Sequence, residues 1–199
     1  MKLYISPGAC SMASHMMLHE LGIPHEIEKV DLKTKTTETG ADFLKINKRG
    51  YVPALEMDDG TIVTENPSVM LAIGRKKPGV FTPEPGEFEL IRLIEALSFL
   101  GAELHKAYAP LFSDLDDKAK EAAVANVHKQ LKRLETILGN KTYVLGEEVS
   151  AADFYAFVLT GWSDMHDISL EDYPNIQKFR DKMSARESVK KTMKHEGLA

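Results

Sequence analysis

Residues 52–70, VPALEMDDGTIVTENPSVM, decide how the first part of the chain folds. Two short apolar runs, VPALEM and TIVTE, flank Asp58-Asp59-Gly60, the signature of a β-hairpin. Glu65-Asn66-Pro67 then leads into SVMLAIGRKK, which reads as a short helix closed by Pro78-Gly79. A hairpin running directly into a helix belongs to an α/β unit. Toward the N-terminus, ADFLKIN (41–47) suits one or two helical turns, and KTKTTETG (33–40) is a polar loop. EIEKVDL (26–32) alternates as a strand, with Ile27, Val30 and Leu32 as its apolar members. KLYI (2–5) is a further strand, ended by Pro7-Gly8. From Ala9 to Leu21 the apolar residues Met12, His15/Met16, Leu18 and Leu21 recur at helical spacing, and Gly22 and Pro24 stop the run. The order strand, helix, strand, helix, strand, strand, helix fills roughly 77 residues. It specifies a compact α/β unit with a mixed sheet.

In the other direction, PGVFTPEPGE (78–87) holds three of the nine prolines and two glycines, which marks a linker. Everything beyond it has helical periodicity. Residues 88–108 form a long amphipathic run, and 116–138 form another, closed by Gly139-Asn140. SAADFYAFVLTGW starts at a capping box of Ser150 and Asp153, and 154–162 are apolar nearly all round, so this helix is expected at the centre of a core. YPNIQKFRDKMSA and ESVKKTMKH close the chain as two more helices. The predicted domains are 1–78, a linker over 79–87, and an all-helical domain over 88–199.

Composition narrows the function. Hydrophobic residues are 43% of the 199, enough for a sizeable core, and a net charge of −5 argues against nucleic acid as partner. No run approaches the roughly 20 apolar residues of a membrane span. The N-terminus lacks the apolar core of a signal peptide. One cysteine cannot make an internal disulfide, which points to a reducing compartment, and the cytoplasm is the expected location. No metal site is expected.

That cysteine, Cys10, stands at the start of a helix after a Pro-Gly turn. Free N–H groups and the helix dipole there favour a thiolate and a lowered pKa, and Ser11 adds a hydroxyl donor. The alternative is a buried, inert cysteine serving as a small hydrophobe. Without a C-x-x-C pair, any redox or transfer chemistry needs a second thiol from outside. Pro53 at a strand start is compatible with a cis bond that turns the Val52 N–H and C=O outward to an extended peptide, or is simply an edge-strand proline. Glu65 and Asn66 at a helix start can hold a ligand amine and carboxylate, or merely cap the helix. His105 and Lys106 on the long helix can face the first domain as cations, or be solvated.

Taken together, SPGACS, VPAL, the DDGT…TE hairpin into a helix, HK and S-A-A-D resemble, in order and over the whole chain, the bacterial beta-class glutathione S-transferases. The resemblance implies a thioredoxin-like N-terminal domain, an all-helical C-terminal domain and glutathione as co-substrate. It implies that Glu65 and Asn66 hold the γ-glutamyl amine and carboxylate. Val52, before a cis-Pro53, would pair with the cysteinyl backbone, and Lys35 would meet the glycyl carboxylate. Cys10 would sit beside the glutathione sulfur, which His105 and Lys106 would face. Tyr108, Phe112 and Trp162 are candidates for the lining of a pocket for a hydrophobic electrophile. Asn66 departs from the serine that the family often carries, with a modest effect on binding expected. The basic stretch IGRKKPGVF is a second departure, without a physical account.

The implied reaction is attack by glutathione thiolate on an electrophilic carbon or a disulfide sulfur, with thiol-disulfide exchange through Cys10 as an accompanying activity. Two rivals remain. One is a thiol reductase with Cys10 as nucleophile; the other is a non-catalytic binding or adaptor protein of the same fold. A homodimer is expected by resemblance, with residues 88–104 as a candidate interface.

Overall fold

β1 (Lys2–Ile5) carries Leu3, Tyr4 and Ile5 buried, and the first folded unit is built round it. The structure is a computed structural model that describes residues 1–84 and 86–199. Pro85, within the expected linker 79–87, lies outside the described residues. β1 pairs in parallel with β2 (Glu26–Asp31) and antiparallel with β4 (Ala54–Glu56). β4 pairs antiparallel with β5 (Ile62–Thr64) in the expected hairpin, with Ala54 opposite Thr64. A two-residue strand, β3 (Thr36–Thr37), adds to the far edge of β2, giving the order β3-β2-β1-β4-β5. β3 corrects the reading of 33–40 as loop alone. It is held by backbone pairing and has no apolar pattern to announce it.

Tyr4, Val30, Phe43, Val52 and Ala54 form one buried cluster of this unit. α1 (Ser11–Glu20) buries Met12, Ala13, Met16, Met17 and Leu18, and Ser11, Ser14 and His15 as well. It can bury polar residues because β1, α2 (Asn66–Gly74) and α8 (Glu187–Glu196) all pack against it. The chain divides into two compact units: Met1–Thr82 with Ala185–Ala199, and Pro83–Ser184. The assignment of all of 88–199 to the helical domain is therefore corrected. α8 belongs with the sheet, and its anchor is polar: the Glu20 carboxylate takes the Arg186 guanidinium and the Ser188 hydroxyl.

The second unit is helical. α3 (Phe88–Phe99) runs through a π-helical turn, Leu100–Leu104, into α4 (His105–Tyr108) and a 3-10 turn, Ala109–Phe112. The expected continuous helix over 88–108 thus widens by one residue per turn just before His105, a local geometry frequent at functional positions. α5 (Asp117–Leu138) is capped by Asp116, whose Oδ1 accepts from the Ala119 N–H at 2.7 Å. α6 (Ala151–Met165) is buried along nearly its whole length, and its capping box is formed as expected. α7 (Pro174–Ser184) completes the unit. Among the described residues no helix is long and apolar enough to cross a membrane.

Candidate active site

The turn after β1 forms the first wall of the site. Gly8 takes φ +74°, which a side chain disfavours, and its N–H donates to Glu196 Oε2 at 3.0 Å. Ser11 Oγ accepts from the Ser6 N–H at 3.2 Å and donates to the Ser6 carbonyl at 3.3 Å. Cys10 then becomes the N-cap of α1. Its Sγ–H donates to the Val52 carbonyl at 3.3 Å, and the residue is only 8% exposed.

The structure corrects the expectation of a thiolate at position 10. Burial pushes the Cys10 thiol up to about 12; the N–H groups of Cys10 and Ser11 pull it down, and the Glu65 carboxylate pushes it further up. The cap is sealed rather than open to water, so desolvation outweighs the helix-start donors. Ser11 is fully buried, and both hydrogen bonds of its hydroxyl go to Ser6, so it ties the turn that carries Cys10.

Val52 meets Cys10 from the other side. The Val52–Pro53 bond is cis, and the Val52 N–H makes no hydrogen bond among the described residues. Val52 and Pro53 lead into β4, whose partner β5 runs directly into Glu65 and Asn66. Glu65 has φ +68° and ψ +120°, a conformation that costs a non-glycine residue on the order of 1–3 kcal/mol. Such strain gathers at ligand sites. Its exposed carboxylate pairs with the exposed Arg49 guanidinium. Asn66 is buried. Its Oδ1 accepts from Ser14 Oγ at 2.8 Å, and its Nδ2 has no partner.

Lys35 reaches the same region. Its Nζ donates to the Gly50 carbonyl at 2.8 Å and lies 5.5 Å from the centre of the Tyr51 ring. Gly50 is required twice over: it has φ +66°, and a Cβ there would come within 3.1 Å of the Leu44 and Lys35 side chains. Asn47 shapes the turn, donating from Nδ2 to the Tyr51 carbonyl at 2.7 Å and accepting the Arg49 N–H at 3.1 Å. The first unit therefore brings Cys10, Val52, Pro53, Glu65, Asn66 and Lys35 into one connected set. Ser14, Asn47, Arg49 and Tyr51 also belong to it and were not singled out from sequence. The turn residues of NKRG (47–50), shortly before VPAL, are the signal that could have found two of them, Asn47 and Arg49.

In the second unit, His105 Nδ1 shares a hydrogen bond with the Tyr155 hydroxyl at 2.6 Å, and its ring meets Trp162 edge-on at 4.9 Å. Lys106 is exposed. Tyr108 is wholly buried, with its hydroxyl 2.5 Å from Ser163 Oγ and burial holding that hydroxyl at about 12, so it is a core residue rather than pocket lining. Trp162 is 4% exposed, while Phe112 is largely exposed and packs on Trp162 at 5.1 Å between ring centres.

Comparison with known proteins agrees with both halves. Residues 8–76 match the family model for the glutathione S-transferase N-terminal domain, and 99–187 match that for the C-terminal domain. The chain is 34% identical to glutathione S-transferase GstA of Escherichia coli O157:H7, over 100% of both chains. It is 45% identical to the solved beta class glutathione S-transferase of Sphingomonas chungbukensis, with a TM-score of 0.97 over the whole of each chain. It is 42% identical to a sphingomonad glutathione S-transferase solved in complex with glutathione, with a TM-score of 0.96 and complete coverage of both chains. The chain belongs to the glutathione S-transferase family, and its likeness lies with the bacterial beta class.

Proposed function

We propose that the chain catalyses nucleophilic attack of the glutathione thiolate on small hydrophobic electrophiles, with glutathione as co-substrate. The observation that carries this is the open Val52 N–H beside the Cys10-bonded Val52 carbonyl, on a strand pair that ends in the strained Glu65–Asn66 helix start. An extended peptide pairs with Val52, and a carboxylate plus an amide at the helix start suit the α-amino acid end of a γ-glutamyl group. Lys35 is the cation for the glycyl carboxylate, as the resemblance implies.

The buried thiol at position 10 supports a reaction carried by the ligand's sulfur. Glutathione brings a thiol with a pKa near 8.5, and each unit by which the site lowers it is worth about 1.4 kcal/mol of preference for the thiolate. A ligand N–H drawn to the Val52 carbonyl competes with Cys10 Sγ–H and frees that S–H to donate to the ligand sulfur. His105 and Lys106 keep the role the resemblance gives them, as cations acting on the same sulfur. The thiol proton passes to water, the S–C bond forms, and the leaving group departs with its electron pair. Cys10 as primary nucleophile, the reductase reading, needs a thiolate that burial disfavours.

α3 leaves Phe88, Ile91 and Ile94 exposed at helical spacing, and this face is our candidate for a homodimer interface. A single cysteine and glutathione as co-substrate support the cytoplasm, a reducing compartment, as the protein's location. The deciding test is retention on immobilised glutathione together with turnover of a generic aryl halide. Both are expected. Retention without turnover favours the binding or adaptor reading, and loss of both overturns the enzyme.

A further inference from the structure

Four imidazoles gather on the side of α1 that faces α8. His15 and His19 are one turn apart on α1, His195 lies in the last turn of α8, and His25 stands just before β2. Ring centres are separated by 4.7 Å for His15–His19, 5.2 Å for His15–His195, 5.0 Å for His19–His25 and 5.7 Å for His19–His195. Nitrogen atoms of His15, His19 and His195 lie within 4.8 Å of one another. His15 is wholly buried, yet its Nε2 has no hydrogen-bond partner, and neither has the buried His19 Nε2. A buried polar atom left without a partner is destabilising unless something meets it.

The outer groups show what the orphaned atoms suit. His15 Nδ1 is 2.8 Å from Glu196 Oε1, and His25 Nδ1 is 2.7 Å from the Ile23 carbonyl. In both rings the Nδ1–H donates to an oxygen, which leaves the Nε2 lone pair available. A carboxylate or carbonyl behind an imidazole is the arrangement that orients histidine ligands toward a metal. Lysine and arginine side chains offer no lone pair here, and three converging imidazoles suit zinc and its neighbours rather than calcium or magnesium.

We propose that His15, His19 and His195 form a binding site for a divalent transition-metal ion of the zinc type, with Glu196 as the positioning residue behind His15. Zn–N bonds of about 2.0–2.1 Å put ligand nitrogens about 3.3–3.5 Å apart, so the rings close inward by on the order of 1 Å when the ion enters. The half-buried His19 and the exposed His195 are free to make that movement, while His15 is the fixed point. Water completes the coordination. The other oxygen of Glu196 accepts the Gly8 N–H at 3.0 Å, in the turn that carries Cys10, so the ion's anchor and the active-site turn share one carboxylate. The site itself needs no glutathione, so its test is independent of transferase activity.

Untagged full-length protein, stripped with a chelator and dialysed, is titrated with Zn²⁺ by calorimetry and with Co²⁺ by visible absorption. The expected result is one ion per chain with a Kd at or below about 10 µM, a tetrahedral Co²⁺ spectrum, and a higher Tm with Zn²⁺. His19→Gln and His195→Gln, at positions that tolerate polarity, are expected to weaken binding at least ~10-fold each, and Glu196→Gln by ~10–100-fold. Cys10→Ser leaves the affinity unchanged. Absence of saturable binding, or binding undiminished in the folded His19→Gln/His195→Gln double variant, overturns the site.

Discussion

Ser14 Oγ donates to Asn66 Oδ1 at 2.8 Å, with both residues buried. This bond joins the middle of α1 to the first residue of α2, one position after Glu65. Ser14→Ala leaves both ends of the Asn66 amide unpaired. The expected cost is about 1–3 kcal/mol, which for a chain of this size lowers Tm by about 2–4 °C per kcal/mol. The KM for glutathione should rise while kcat changes little. An unchanged KM would remove Asn66 from the binding set.

Cys10 should be a slow thiol. With its pKa held near 12 by burial, alkylation by iodoacetamide at pH 7.5 is expected to run far slower than in the urea-unfolded chain. Cys10→Ala should lower thiol exchange more than conjugation. Conjugation should still rise with pH below 8, because the titrating sulfur is glutathione's. Equal loss of both activities on that substitution would return Cys10 to the centre of the reaction.

Replacing Ile91 with Glu places a charge in the middle of the exposed Phe88–Ile91–Ile94 face of α3. Size-exclusion chromatography with light scattering is expected to show a dimer for the parent chain and a monomer for the variant, with secondary structure intact. A dimeric Ile91→Glu protein would move the interface elsewhere.

Acid should loosen the first unit. Burial holds His19 down at about 3, with further repulsion from His15 on its own helix, His25 before β2, and Lys191 and His195 on α8. His25 and His195 are lowered for the same first reason. The unfolded chain takes up these protons near pH 6.5 and the folded chain resists them. The unfolded state therefore binds more protons below pH 6.5, and stability present above that value is lost as the pH falls toward 3. Tm measured in chelator should drop between pH 7 and pH 5, and His19→Gln should flatten the slope. A pH-independent Tm over that interval would show that these rings do not control acid stability.

The sheet and most helices were legible because their signals are local. The DDG hairpin, the Ser150–Asp153 capping box and the all-round apolar face of α6 each formed as the residues indicate. β3 was hidden because Thr36 and Thr37 contribute backbone and no hydrophobic pattern. The return of α8 was hidden because its hold on α1 is polar and distant in the chain, through Glu20 with Arg186 and Ser188. At the site, residue types and order were readable, but whether position 10 is open to water depends on Val52 sealing it, which no local pattern states. His15 looked like one more apolar-face residue of α1. Only the arrival of His195 from the far end of the sequence gives its orphaned nitrogen a meaning.

The helix that completes the first unit is made only after the whole of the second unit. During synthesis α1 must wait, with Glu20 and His15 uncovered, through the whole of the second unit before Arg186, Ser188 and Glu196 arrive. A chimera that exchanges halves between relatives should therefore carry residues 185–199 along with 1–82, because a cut at the linker alone separates α1 from its cover.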